Sequence, residues 1–269
     1  MKKLFLLGLT AFLFLSTTNL SAQFGEPDVR SKEVPKNLFD EGYKSGFGFL
    51  FGANDFGFGV GGQFRRVLNR YTEAHFTFKI NGLKDAREQT FIDYFFGTKT
   101  VPDKYKRVIS FPLAIGIKRR FLASQISDNF RLYGTISSGP VFAFSYPYFN
   151  DNNNNGFREN DTQLYNTFEQ TNDIFTGWSS GDWHLGLTGG AQIGIDFSSN
   201  FANLQSFQFG YNFYYFDNGL QILEPAKPLK DQNGFPRYDG AQLQTTTSYE
   251  PKKYYGSAQL TFIFGWMWN

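Results

Sequence analysis

The stretch YGSAQLTFIFGWMWN at 255–269 alternates so strictly that it fits one conformation, an extended strand with two unlike faces. Ala258, Leu260, Phe262, Phe264, Trp266 and Trp268 share one face, and Ser257, Gln259, Thr261, Ile263, Gly265 and Met267 share the other. The first face is apolar and aromatic; the second is mostly small or polar. A tilted strand of about 9 to 11 residues crosses a bilayer, so this one is long enough to do so. The fold question becomes a question of which solvent each face meets.

Seven further runs repeat the pattern. Phe47, Phe49 and Phe51 alternate with glycines and Leu50. After a tight turn at Ala53, Asn54 and Asp55, the series Phe56, Phe58, Val60 and Phe64 alternates with Gly57, Gly59, Gly61 and Gln63. Ala74 to Ile80, Ile109 to Lys118, Trp183 to Phe197 and Ser206 to Phe216 do the same. The run at 130–146 is less regular and carries Pro140, which predicts a bulge or a rim position, where a missing donor matters least.

Between the runs, connections alternate in length: short at 66–71, long at 81–107, short at 119–129, long at 147–182, short at 198–205 and long at 217–253. All three long connections therefore fall at one end. Asn81-Gly82, Asn155-Gly156, Asn218-Gly219 and Asn233-Gly234 mark turns within them.

Residues 1–22 pair Lys2 and Lys3 with an apolar run, Leu4 to Leu15, and a small-residue ending at Ala22. That is the layout of a secretory signal peptide, with an apolar run shorter than a spanning helix needs. Residues 23–44, broken by Pro27 and Pro35, read as an irregular N-terminal arm, and 45–269 as the barrel. Without Lys2 and Lys3, 24 basic residues balance 24 acidic ones, which gives no general attraction for nucleic acid. The chain has no cysteine, which excludes disulfides and thiol chemistry.

A soluble eight-stranded barrel would turn its apolar face inward and its polar face to water. Here the polar face is mainly Gly, Ser, Thr and Gln with few charges, which suits a cramped lumen. The expected fold is all-β, an eight-stranded antiparallel transmembrane barrel with short periplasmic turns and long extracellular loops. The apolar face then meets lipid, with Trp183, Tyr211, Tyr215, Trp266 and Trp268 as candidates for aromatic girdles. Inside, Arg65, Lys79, Lys118 and Arg131 are expected to meet Glu73 and Asp196 in a polar network that neutralises buried charge. Arg65, Arg66, Arg70, Lys118, Arg119 and Arg120 also gather near the short turns.

The signal ending at Ala22-Gln23, Gly139 to Phe142, the Leu185 to Ala191 strand and the aromatic C-terminal strand resemble the small outer-membrane β-barrel proteins of Bacteroidetes-type bacteria. That family is similar in architecture to the OmpA and OmpX barrels, and the resemblance covers roughly Ser45 to Asn269. It implies the cell outer membrane as the address, with outer-membrane lipid, lipopolysaccharide and other envelope proteins as partners. It also implies a non-enzymatic structural or interaction role, as an accessory of an envelope or secretion complex or as a surface-binding protein. A narrow pore for ions or small solutes is the alternative. The chain departs from the family's assembly signal by ending Trp268-Asn269.

Two local patterns carry chemistry. Asp151, Asn153, Asn155 and the Phe157 carbonyl repeat the oxygen spacing of the first half of an EF-hand calcium loop, with Asp161 as a stand-in ligand. Thr162 occupies the position of the bidentate Glu, and the alternative reading is an Asn-rich turn with no cofactor at all. His75, two residues before Thr77, and His184, beside Trp183, are the only bases that titrate near neutral pH, and both fall on the lumen face, away from any lipid substrate. No enzyme is expected.

Overall fold

Each period-two run forms a strand: β1 Ser45–Asn54, β2 Gly57–Asn69, β3 Thr72–Leu83, β4 Lys106–Arg120, β5 Phe130–Pro147, β6 Asp182–Phe197, β7 Asn203–Leu220 and β8 Lys252–Trp268. The computed structural model describes residues 35–269 apart from 94–97, 127, 153, 159–170, 199 and 241. The expected signal segment, the arm up to residue 34, and Asn153 and Asp161 of the calcium-type loop therefore lie outside the described residues.

The eight strands close into one antiparallel ring in chain order, β8 pairing back onto β1 from Ser45↔Trp268 to Asn54↔Gln259. The register can be followed round that ring. Starting at Ala258 in β8, paired residues run through Tyr211, Ala191, Ile136, Ile117, Ala74, Arg66 and Ser45 and return to β8 at Trp268, ten residues further on. With strands about 4.8 Å apart and a rise of about 3.3 Å per residue, this stagger tilts the strands about 40° and sets the wall about 8 Å from the axis. Such a tube is filled by its own side chains.

Alternation then decides which side chains fill it. Gln63, Arg65, Glu73, Thr77, Lys118, Asp196, Gln208, Asn212, Gln259 and Thr261 are buried inside. Phe58, Phe76, Ile136, Leu187, Phe209 and Phe262 stand exposed on the outside, Phe58 by 86 % and Ile136 by 72 %. Large apolar side chains circle the whole wall, far beyond the few hundred Å² of contiguous apolar patch that a water-soluble monomer exposes. Hydrocarbon is the solvent this wall matches, and the closed ring leaves no unpaired strand edge within it. The fold is a transmembrane β-barrel.

The two ends differ. Turns 70–71, 121–129 and 198–202 lie at the end where β8 finishes, and residues 35–44 fold against that end. Lys44 N donates to Trp268 O at 2.9 Å, and Val67 N donates to Lys44 O at 2.9 Å. Asn37 turns the segment by accepting from Asp40 N at 2.9 Å, while Leu38 and Tyr43 pack on Leu50, Val67, Leu204, Ile263 and Met267. At the opposite end are the tight turn 55–56 and the long loops 84–105, 148–181 and 221–251.

Four local expectations are corrected. Phe56 leaves the outward series: the turn at 55–56 carries its ring to the mouth of the lumen, where it is buried. Pro140 makes no bulge and is not at a rim. Pairing between β4 and β5 is interrupted beside it, but Pro112↔Val141 and Ile115↔Ser138 keep one register on either side, so the missing donor removes a bond without inserting a residue. Asn81-Gly82 continues β3 opposite Ser110 and Ile109 instead of turning. Asn218-Gly219 lies within β7, where Gly219 has φ +69° and the register against β8 shifts. Of the four Asn-Gly pairs, only those at Gly156 and Gly234, with φ +80° and +86°, sit outside the barrel strands.

Replacing Phe262, in the middle of the outward face of β8, by Arg is expected to lower barrel stability by about 2–4 kcal/mol, the cost of a cation facing mid-bilayer lipid. Reversible urea unfolding in lipid vesicles measures it; an unchanged midpoint contradicts the assigned face.

Candidate functional site

Side chains occupy the lumen at three levels, each built by inward positions of several strands. Nearest the short turns, β2, β3, β4 and β6 bring Arg65, Glu73, Lys118 and Asp196 together. Arg65 Nη1 lies 3.4 Å from Asp196 Oδ1 and 3.7 Å from Glu73 Oε2. Lys118 Nζ lies 3.3 Å from Glu73 Oε1 and bonds Asp196 Oδ2 as well. Two cations thus share two carboxylates and the quartet is neutral. The Tyr133 ring covers it, with Lys118 Nζ 4.1 Å from the ring centroid, and Tyr133 is hydrogen-bonded to Ser206.

Arg131 sits just below. It donates to the carbonyls of Asp128 at 2.9 Å and Ser198 at 3.1 Å, with its guanidinium over Phe201, and makes no ion pair with the quartet. The other clustered cations divide by strand parity: Arg66 and Arg119 point outward, while Arg70 and Arg120 pair at the rim with Asp40 and Asp128. Strand parity alone places all these side chains but Arg70, which lies in the turn 70–71; which acid each one meets depends on the ten-residue stagger.

Above the quartet lies a polar layer with a cavity of about 30 Å³, lined among others by Gln63, His75, Thr77, Lys79, Gln192, Gln208, Asn212, Gln259 and Thr261. That volume holds one or two water-sized groups. Lys79, expected to meet Glu73 or Asp196, meets neither; its Nζ donates to Gln259 Oε1 at 3.1 Å. On β3 it stands six residues above Glu73, about 20 Å along the strand, beyond the reach of any quartet carboxylate. His75 is buried between the two layers with Nε2 3.4 Å from Thr135 Oγ1.

Towards the long loops the lumen turns apolar. Phe56, Leu83, Val108, Val141, Ala143, Tyr214, Phe216, Leu220, Ile222 and Tyr255 form one buried cluster across the mouth. The sequence reading missed it because apolar residues were assigned to lipid. A signal was present, since Leu83, Val108 and Tyr255 occupy lumen-parity positions near their strands' ends and Val141 a lumen-parity position further in. His184 is also at this level, Nε2 2.9 Å from the buried Ser145 hydroxyl.

Over the mouth the long loops fold on one another. Ala226–Pro228 pairs with Thr245–Thr247, and Tyr238–Asp239 with Gln242–Leu243. Asp103 accepts from Lys227 at 2.5 Å and from the Tyr249 hydroxyl at 3.2 Å, Lys104 pairs with Glu88 at 2.6 Å, and Glu224 accepts the Arg158 amide at 2.9 Å. Asp85 accepts from Arg87 Nη2 at 2.7 Å and Lys252 at 3.5 Å. Burial alone would raise the Asp85 pKa, but the side-chain and backbone hydrogen bonds of Arg87, with the Lys252 charge, outweigh it and hold the carboxyl below its usual range. Asp151 spends both carboxylate oxygens on its own loop, accepting Asn155 N at 3.1 Å and Gly156 N at 3.0 Å; Asn155 in turn accepts Phe157 N at 3.1 Å. Phe91, Ile92, Ile174, Phe175, Phe235 and Tyr238 leave three loops with exposed apolar tips.

Aromatic residues mark both edges of the outer wall. Trp266 packs against Phe47 and Trp268 against Phe64, at centroid distances of 6.1 and 6.2 Å, beside the short turns. At the long-loop edge Trp183 meets Phe144 at 5.0 Å, and Tyr215 meets Tyr254 at 4.9 Å. Tyr211 starts four residues deeper than Tyr215, and its ring extends over Gly256, where a Cβ would collide with it. Its hydroxyl is thereby carried toward the same edge. Trp178, which packs on Phe144 and Tyr146, joins this edge from a loop that has no period to read.

A lipid-matched wall between two aromatic edges, around a lumen filled by side chains, defines an integral membrane β-barrel. No family model matches the chain, and no curated protein matches it. Among solved structures, it is similar to two of Ail, the attachment invasion locus protein of Yersinia pestis, one of them in complex with the heparin analogue sucrose octasulfate. Each comparison has 11% identity and a TM-score of 0.30, and covers 83% of this chain and 95% of that one. The fold assignment stands on the strand register.

Replacing Lys118 by Met leaves two buried carboxylates facing Arg65 alone and is expected to cost about 3–5 kcal/mol. Adding Asp196→Leu restores a one-to-one pair and recovers most of the loss; a double-mutant cycle of unfolding free energies reads both. Because the folded Asp85 pKa is lowered, its stabilisation is present above the unfolded value of 3.8 and is lost as pH falls through the lower folded value. Hydrogen-exchange protection factors, which are corrected for the intrinsic rate, are therefore expected to fall in loops 84–105 and 221–251 on acidification below pH 3.8, and to fall less in Asp85→Asn.

Proposed function

We propose that this protein is a non-enzymatic, non-conducting integral protein of the outer membrane that acts by binding another envelope or surface component through its long loops. The observation that carries this reading is the pairing of a lumen closed at three levels with a folded loop cap whose apolar tips are exposed. A conduit needs a continuous polar path, and the buried apolar cluster at the mouth interrupts one. An interaction surface needs ordered backbone and uncovered apolar anchors, and the paired loop strands with Phe91, Phe175, Phe235 and Tyr238 supply both.

In this reading the short turns and the N-terminal arm face the periplasm and the long loops face outward, the arrangement general to outer-membrane barrels. Outer-membrane lipid and lipopolysaccharide surround the wall. The bound component is another envelope protein, in keeping with the sequence resemblance to Bacteroidetes-type barrels that serve envelope and secretion complexes.

Planar-bilayer recording of the purified barrel is expected to show no reproducible conductance, whereas Val141→Gly with Phe216→Ala, which thins the apolar mouth, introduces flickering openings. Steady conductance from the unaltered protein overturns the sealed reading in favour of a narrow pore.

A further inference from the structure

We propose that the mid-lumen cavity is a binding site for one small monovalent anion of halide size, held by Lys79, Thr77 and Thr261. Charge balance is the first argument. The quartet below is complete in itself, with Arg65 and Lys118 against Glu73 and Asp196. Lys79 lies on the lumen face of β3 between the outward Phe78 and Ile80, within the membrane-crossing band, and no described carboxylate lies within ion-pairing distance of it. A cation there without a counter-charge is costly, and a bound anion removes the cost.

The polarity of the cavity lining is the second argument, and it does not depend on an arbitrary choice of amide orientation. An ammonium only donates, so the Gln259 atom facing Lys79 at 3.1 Å is its oxygen. Its amide nitrogen must then be the atom 2.6 Å from Thr261 Oγ1. A guanidinium also only donates, so the Gln63 atom 2.7 Å from Arg65 Nε is oxygen, and its nitrogen is the atom 3.0 Å from Thr77 Oγ1. Both threonine hydroxyls therefore accept from an amide and keep their own protons free to donate. Thr77, Thr261 and Lys79 all line the same cavity. One cation and two hydroxyl protons in a lining whose other polar groups, Gln192, Gln208 and Asn212 among them, are neutral favour an anion over a cation, and a space of about 30 Å³ favours a small one over sulfate or phosphate.

This site stands apart from the loop cap and from the sealed-lumen reading, since halide occupancy is read in the folded barrel whether or not it conducts. Crystals of the full barrel soaked in bromide are expected to give an anomalous peak in the cavity beside Lys79 Nζ. In detergent at constant ionic strength, chloride and bromide are expected to raise the melting temperature above that in sulfate. Lys79→Gln is expected to abolish both the peak and the halide dependence. Thr77→Val with Thr261→Val, which keeps Lys79 and its bond to Gln259, is expected to weaken both, and guards against misfolding of the lysine variant. Absence of a bromide peak together with equal melting in all three anions overturns the proposal. A peak that persists in Lys79→Gln overturns it equally.

Discussion

Everything in this molecule depends on the closing ladder between its first and last strands. Backbone N–H and C=O groups have no partners in hydrocarbon, so a sheet that crosses a membrane has to pair both of its edges. The ten paired positions from Ser45↔Trp268 to Asn54↔Gln259 do that. The contact is close: Gly48 faces Gly265, and any side chain at Gly265 would strike the backbone of Phe47 and Gly48. Closure with a ten-residue stagger then sets tilt and radius, and the radius leaves room inside for side chains and almost nothing else.

That narrow interior is layered by chemistry. Buried charge is tolerated near the short-turn end, where two acids and two bases share ion pairs under the Tyr133 ring. Replacing one member is damaging because the others remain buried, not because the pair as a whole adds much to stability. Apolar packing then takes over at the opposite mouth, where the loops descend and bring Ile222 into the same cluster as Phe56 and Phe216. Outside, aromatic residues line both edges of the wall and the paired loops cover the mouth.

The strands, the faces and the alternation of short and long connections were legible from period-two patterning, because each strand's side chains meet two solvents of opposite character. The errors fell where that contrast fails. Phe56 was assigned to lipid because an apolar residue at a strand's start carries no mark of which way the turn sends it. Pro140 suggested a bulge because a missing donor has two remedies, an inserted residue or a skipped bond, and sequence does not choose between them. Asn81-Gly82 and Asn218-Gly219 read as turns because their local preference is real, yet ladder pairing with the neighbouring strands overrides it.

The candidate sites divide in the same way. Sequence alone determined that Arg65, Glu73, Lys79, Lys118, Arg131 and Asp196 point inward and that Trp183, Tyr215, Trp266 and Trp268 point outward, because strand parity is a local property of the chain. Only the tertiary structure decided which of them meet. The stagger brings Arg65 and Lys118 level with both acids, sets Arg131 below them on backbone carbonyls, and leaves Lys79 higher up among amides and threonines. Neighbours across a barrel come from strands far apart in the chain, and their height is fixed by the cumulative register of the whole ring, a quantity that no single segment contains.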